Sequence, residues 1–216
     1  MLLLAAFVCF APKTVTLVPK ETVWVYENAS SPADGTFLRA WGAEGKSWPA
    51  EGEDAGQFSC SYLKWDLSDI PAGAILKSAK LEFFNIANPG FTVDSAKKTP
   101  LEARAIAGAF DAKTWTFDML SKVHPAPGAT AVYGSAYPKE ILNDAPVPIA
   151  IDLMAGPNLF EKLFKTAVAS PTHQLSLSIT SAIDPSAGGR SAVYKLYGQT
   201  DAHENLRPRL TLTFEF

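Results

Sequence analysis

The sequence predicts an all-β protein, an antiparallel β-sandwich of jelly-roll-like outline with one short amphipathic helix. Many short segments alternate apolar and polar residues, which is the pattern of strands with one buried face. Pro and Gly, 16 and 14 of the 216 residues, punctuate these segments and indicate frequent turns. One segment, residues 158–169, instead repeats its apolar residues at helical spacing. Hydrophobic residues make up 47% of the chain, which is ample for one sandwich domain over residues 13–216.

The chain begins with an apolar run, MLLLAAFVCFAP, over residues 1–12. This run is too short to span a bilayer as a helix, and it resembles the hydrophobic part of a secretory signal ending near Ala11. It lacks the usual positively charged start, so the two other interpretations are a signal whose first residues are missing from this sequence and a first strand. The signal interpretation predicts a secreted protein, extracellular or at the cell surface. Removal of the signal would leave Cys60 without Cys9, so no disulfide framework is expected.

Three short strands follow, over residues 14–18, 22–26 and 36–41. They lead into a Gly-rich loop, residues 42–56, that carries four acidic side chains. Carboxylates are ligands of Ca²⁺, so a structural calcium ion is one interpretation. Their spacing matches no EF-hand, and plain solvation is the other interpretation. The sequence indicates no other cofactor. The four acidic residues are Glu44, Glu51, Glu53 and Asp54.

Residues 61–84, SYLKWDLSDIPAGAILKSAKLEFF, form the centre of the predicted fold. A first alternating strand ends at a turn, which Asp69 and Pro71 favour and where Gly73 tolerates positive φ. A second strand follows over residues 74–84. The residues predicted to face inward are Leu63, Trp65 and Leu67 on the first strand and Ile75, Ala79, Leu81 and Phe83 on the second, with Tyr62, Lys64 and Asp66 on the opposite side.

The rest of the chain continues this pattern around the one predicted helix. Residues 85–100 are polar and rich in turn residues, and Trp115 is expected in the core. A short helical turn is predicted over residues 117–123, before a long Pro- and Gly-rich excursion over residues 125–148. Further strands are predicted at residues 101–109, 147–153, 174–181, 191–197 and 207–214.

Residues 61–84 resemble the signature of the DNRLRE domains, also called the disaggregatase-related family, which is grouped with carbohydrate-binding module family 96. The family shows a run of the form YL(K/R)FDLS.IP.GA.I.SA.L, in which Trp65 here takes the place of the usual Phe. Thr114-Trp115 and the closing RPRLTLTF of residues 207–214 are similar to later family landmarks. The resemblance implies a β-sandwich that associates with carbohydrate, with alginate-like acidic polymers among the candidates. Its shared positions are core and turn residues, so no binding residue carries over.

Catalytic motifs are scarce. The three histidines, His124, His173 and His203, lack metal-binding spacing, and there is no G-x-S-x-G segment for a serine nucleophile. Carboxylate pairs for glycoside hydrolysis are spatial, and no candidate stands out. One segment combines residue types that a polysaccharide lyase needs, a Tyr or His base and a cation. Its members are Arg190, Tyr194, Lys195, Tyr197 and His203; the alternative is a solvated strand.

Candidate binding residues are aromatic side chains and cations near the loops. Sugar rings have apolar faces that suit flat aromatic surfaces, and Arg or Lys pairs with the carboxylates of acidic polysaccharides. Trp24 alternates with two valines and is a further outward-facing candidate. The predicted carbohydrate-binding residues are Arg39, Trp41, Trp48, Tyr133, Tyr137, Arg190 and Lys195.

These observations together predict a secreted, non-catalytic carbohydrate-binding module for an extracellular or cell-wall polysaccharide. A net charge of −3 gives no basic field to attract nucleic acid or anionic membranes, so neither is an expected partner. The first alternative is a structural or adhesive surface domain that mediates protein assembly. The second is a polysaccharide lyase or another carbohydrate-active enzyme.

Overall fold

The computed structural model describes residues 11–26, 29–30, 35–42, 58–184 and 192–216. Its strands pair antiparallel throughout these ranges, because the short alternating segments return on one another through turns. In chain order the strands are β1 (Lys13–Leu17), β2 (Glu21–Tyr26), β3 (Ala29–Ser30), β4 (Phe37–Ala40), β5 (Ser59–Asp66), β6 (Ile75–Asn85), β7 (Leu101–Arg104), β8 (Val132–Ala136), β9 (Val147–Asp152), β10 (Gln174–Thr180), β11 (Tyr194–Tyr197) and β12 (Arg209–Glu215).

Within the described ranges these strands form two six-stranded sheets. The first has the order β1-β12-β6-β11-β4, with β9 on β6, and the second has the order β3-β2-β5-β10-β7-β8. The pairs β1/β12, β6/β9 and β7/β8 are nested along the chain, as in a jelly roll. In a jelly roll β2 and β10 would pair with each other. Here each of them pairs with β5, which lies between them. The prediction of a jelly-roll-like sandwich is therefore confirmed, with β5 inserted into the second sheet.

The main core lies between the sheets and contains the inward-facing residues of both. On β6 the inward set includes Leu76, not Ile75, which is 60% exposed. The prediction for Ile75 was wrong because the pairing of β12 with β6 shifts register between Thr213 and Phe214. Such a bulge adds one residue to a strand and reverses which side chains face the core beyond it.

A second, smaller core covers the outer face of β2 and β5. Sequence alternation predicted that Tyr62 and Lys64 face away from the buried side, but both are buried. The segment that follows β7 folds over them, and the Tyr62 hydroxyl donates to the Val123 carbonyl at 2.8 Å. Both faces of β5 are therefore in apolar surroundings. This core consists of Val23, Val25, Phe58, Cys60, Tyr62, Phe110, Ala112, Trp115 and Val123.

Two α-helices lie among the described residues, α1 (Val93–Lys98) and α2 (Phe160–Ala169). The predicted amphipathic helix is α2, which buries Phe160, Phe164, Ala167 and Val168. Helix α1 lies in residues 85–100, where the sequence predicted turns and no helix, and its start is capped reciprocally by Thr92 and Ser95. None of the described helices has the length and apolar character needed to cross a membrane.

Candidate functional site

Four side chains alternate outward on β4 and β11, the two strands at one end of the first sheet. Arg39 is opposite Lys195, and Phe37 is opposite Tyr197. The intervening residues on both strands are fully buried, so their neighbours must point away from the core. Those buried residues are Leu38, Ala40, Tyr194 and Leu196.

The second sheet holds β4 in place. The Arg39 N–H donates to Ser61 Oγ at 2.9 Å, and Ser61 Oγ donates to the Arg39 carbonyl at 2.8 Å. Trp41 and Ser59 exchange backbone hydrogen bonds of 3.0 and 2.9 Å. Since Ser61 is also the cross-strand neighbour of Trp24, this attachment brings an aromatic residue of the second sheet to the edge of β4.

Each of the two cations lies against an aromatic ring. The Arg39 Cζ atom is 4.7 Å from the ring centre of Trp24, and Lys195 Nζ is 4.0 Å from that of Phe37. Contacts of this kind contribute about 0.5–1 kcal/mol at exposed sites and orient the charged group. We call the five residues Trp24, Phe37, Arg39, Lys195 and Tyr197 the cation–aromatic strip.

The electrostatics of this strip favour an anion. Partial burial, and then the neighbouring Arg39 charge, lower the pKa of Lys195. Within the described residues, the ion pairs do not include Lys195. A carboxylate between the two cations would offset their mutual repulsion and accept hydrogen bonds from both.

An apolar row extends from this strip across the outer face of the first sheet. Leu196 pairs with Asn85, so Tyr197 and Phe84, the next residues on these antiparallel strands, lie side by side on the outer face. Phe84 is in turn opposite Pro148 on β9. Phe37, Tyr197 and Phe84 are half-buried, and Pro148 is exposed. These four residues form what we call the outer row.

One end of the strip also carries a histidine. The His203 ring is 6.5 Å from that of Tyr197, and its Nδ1 atom is 3.0 Å from Asp201 Oδ1. Tyr194, by contrast, points inward, and its hydroxyl donates to the Thr99 carbonyl at 3.2 Å. Burial raises the pKa of Tyr194. Tyr194 therefore has no access to a ligand on this surface, whereas Tyr197 shares the outer face of β11 with Lys195 and has His203 beside it.

The structure separates the sequence-predicted binding residues. Arg39 and Lys195 are neighbours, as described above. Trp41 and Tyr133 are 8% and 5% exposed, and Tyr133 packs edge-on against Phe160, so neither ring presents a face to solvent. Their expected surface positions are therefore corrected to core positions.

Tyr137 is half-buried, with Lys139 Nζ 3.8 Å from its ring centre. Trp48 and Arg190 lie outside the described residues, as do the proposed calcium ligands Glu44, Glu51, Glu53 and Asp54. Among the residues that are described, no group of three or more His, Cys, Asp or Glu side chains is arranged to hold a metal ion.

Sequence reasoning missed Phe37 and Phe84 as surface aromatics of the site. The sequence predicted Phe37 and Arg39 on one side of a short strand, but nothing in it paired β4 with β11, which lies more than a hundred residues later. Phe84 was not singled out as a surface residue because it lies in a strand that was predicted mainly from its buried face.

No protein-family model matches this chain, and no curated protein has a sequence similar enough to be a relative. The resemblance of residues 61–84 to the DNRLRE signature therefore stays a prediction.

Proposed function

We propose that this chain is a secreted, non-catalytic module that binds an acidic extracellular or cell-wall polysaccharide through its cation–aromatic strip. One observation carries the proposal. Arg39 and Lys195 lie side by side on paired strands, and each is held against an aromatic ring. Such a surface combines charge for carboxylates with apolar area for sugar rings.

A guanidinium group donates two parallel hydrogen bonds to a carboxylate, and a lysine nearby adds a second positive charge. Tyr197 and Phe37 supply apolar area next to these donors. Their positions on a two-sheet scaffold keep the site preorganised, which lowers the entropic cost of binding.

The test is a retention assay of the purified protein against alginate, pectin, xylan, cellulose and glycosaminoglycans, with and without a chelator. We expect retention on a carboxylated polymer. Arg39→Ala and Lys195→Ala should each weaken it about tenfold, as expected for loss of a charge-assisted hydrogen bond. Lys162→Ala, an exposed lysine on α2, is the matched control. Retention on no polymer, or equal retention of all variants, would contradict the proposal.

The same assay separates binding from cleavage. His203 lies beside Tyr197, which shares the outer face of β11 with Lys195, and these residue types serve a lyase as base and cation. Absorbance of unsaturated products would therefore be followed in each well. New absorbance that disappears in Tyr197→Phe would make the chain an enzyme and replace the binding proposal.

Protein assembly is a second candidate, favoured by an apolar surface at the start of β6. A cleft of about 380 Å³ lies between this region and α2, with Phe164 and Val168 in its lining. Ile75, in the same lining, is 60% exposed. If the partner at this cleft is a second copy of the chain, the protein should self-associate, and Ile75→Ser should abolish that self-association. Sedimentation measures the oligomeric state of both proteins. A monomer at all concentrations would contradict self-assembly there.

A further inference from the structure

The outer row crosses the strands of the first sheet instead of following one of them. It takes one residue from each of four strands, in the order Phe37, Tyr197, Phe84 and Pro148. Neighbouring strands are about 4.8 Å apart, so the row is about 14 Å long. A row of that length accommodates a few sugar rings placed in a line along it.

The two long sides of this row differ in charge. Arg39 and Lys195 are two residues from Phe37 and Tyr197 on paired strands, so both cations lie on the same side of the row. Glu82 is two residues from Phe84 in the opposite direction along β6. It is the cross-strand neighbour of Arg209 on β12, and its Oε2 atom is 3.0 Å from Lys80 Nζ. The first side thus presents two positive charges, and the second presents an acidic side chain among cations.

A site for a chain end has a different shape. It closes around the terminal sugar and satisfies its extra hydroxyl groups with hydrogen bonds in a concave pocket. The outer row is part of a sheet surface, and its side chains stand roughly perpendicular to that surface. The side chains that form the row are aromatic or proline, which give apolar area and few hydrogen bonds to a terminal hydroxyl.

We infer that the strip and outer row bind interior units of a linear, carboxylated polysaccharide laid across the strands, with its carboxyl groups toward Arg39 and Lys195. This inference rests on the proposed function, since it specifies how the same surface takes its ligand. Interior binding means that affinity grows with the number of sugars until the row is covered. It also means that a chemical change at the end of the polysaccharide chain has little effect on the affinity.

The experiment is a calorimetric length series with oligogalacturonates and oligomannuronates, from monomer to hexamer. We expect the Kd to fall at least about tenfold between dimer and hexamer, as more of the row is covered. Borohydride reduction of the hexamer's end should change its Kd less than about twofold. A dimer as tight as the hexamer, or loss of binding on end reduction, would overturn the inference while leaving the proposed function intact. Binding of neither series, with retention on none of the polymers of the panel, would overturn both.

Variants of the protein locate the effect. Phe84→Ala should weaken hexamer binding about three- to tenfold and leave dimer binding at Arg39 and Lys195 nearly unchanged. Thr213→Ala, on the outer face of β12 away from the row, is the matched control. Equal loss for dimer and hexamer in Phe84→Ala would contradict a ligand that extends along the row. Circular dichroism checks the fold of each variant. The length series on the unaltered protein tests interior binding independently of these variants.

Discussion

At the scale of single residues, the candidate site depends on two cations whose positions are fixed by their neighbours. Lys195 is partly buried against Phe37 and has Arg39 as its cross-strand neighbour. Both burial and a like charge disfavour the protonated amine, so they lower the pKa of Lys195. An anionic ligand acts in the opposite direction, because it stabilises the charged form.

This opposition predicts a pH-dependent affinity. Lys195 loses its charge as pH rises through its lowered pKa, so binding of an acidic polysaccharide should weaken on the alkaline side, below the pH expected for an ordinary lysine. Lys195→Arg should remove that weakening, because a guanidinium group stays protonated. Affinity measured calorimetrically across the alkaline range checks this. An identical pH profile for both proteins would show that Lys195 does not contribute its charge.

A second pH effect concerns stability and comes from the smaller core. Burial raises the pKa of Cys60 to about 12, and burial also raises the pKa of Tyr62 well above its usual value. Each group stabilises the fold fully below its unfolded pKa, and this contribution is lost as pH rises toward the folded pKa. The free energy of unfolding should therefore fall above about pH 9, by about 1.4 kcal/mol per pH unit for each group that ionises only when unfolded.

Urea unfolding at neutral and alkaline pH measures this loss. Cys60→Ala should give a shallower pH dependence than the unaltered protein, whatever its stability at neutral pH. Lys195, whose pKa is lowered, contributes in the opposite direction in the range just below the pKa of an unfolded lysine. A pH slope unchanged by Cys60→Ala would contradict the assignment to the buried thiol.

At the scale of elements, the site exists because β4 is attached to both sheets. Its pairing with β11 places the two cations side by side, and the Ser61 side chain replaces a strand partner along its other edge. Ser61 is fully buried, so its two hydrogen bonds to the Arg39 backbone are partly shielded from water. This hydroxyl, together with the backbone hydrogen bonds between Trp41 and Ser59, thus positions Arg39 over Trp24.

Removal of that hydroxyl should affect both stability and binding. Ser61→Ala leaves the partly buried N–H and carbonyl of Arg39 without this partner, at a cost of about 1–3 kcal/mol. We expect a comparable decrease in the free energy of unfolding and a weaker affinity for the acidic polymer. Ser78→Ala, an exposed serine on β6, is the control and should change neither quantity appreciably. A binding constant unaffected by Ser61→Ala would mean that β4 is positioned by its other contacts.

Strands and helices were predicted best where the spacing of apolar residues within one segment is enough to identify them. The strands around residues 61–84 and the amphipathic α2 follow directly from apolar spacing, and both are present. Ile75 was misplaced because a bulge depends on the partner strand, which a single strand's pattern does not contain. The capped helix α1 was missed because it is six residues long and fully buries only Ala96.

At the scale of the whole molecule, two apolar cores share one strand. The main core includes Trp65, and the second core includes Trp115, on opposite faces of the second sheet. Arg104, itself buried, also ties the covering segment to the sheet by donating to the carbonyls of Ala126 and Gly128 at 3.2 and 2.7 Å. The two cores therefore depend on the same sheet for their packing.

This shared strand predicts a single cooperative unfolding transition. In a protein whose Trp24, Trp41 and Trp48 are replaced by Phe, Trp65→Phe leaves Trp115 as the reporter of the second core. In the same background, Trp115→Phe leaves Trp65 as the reporter of the main core. Denaturation followed by fluorescence and by far-ultraviolet circular dichroism should give coincident midpoints within each variant. An earlier fluorescence transition in the Trp65→Phe protein would show that the second core opens before the sandwich unfolds.

The sequence by itself determined the fold class, most strand positions and the amphipathic helix, because alternation and turn residues are local properties. It also singled out Arg39 and Lys195 as cations on strands. Only the tertiary structure decided that these two residues are neighbours, that Trp24 joins them from the other sheet, and that Trp41 and Tyr133 are buried. Those outcomes depend on strand pairing between distant segments, which is set by the packing of the whole molecule and not by any one segment.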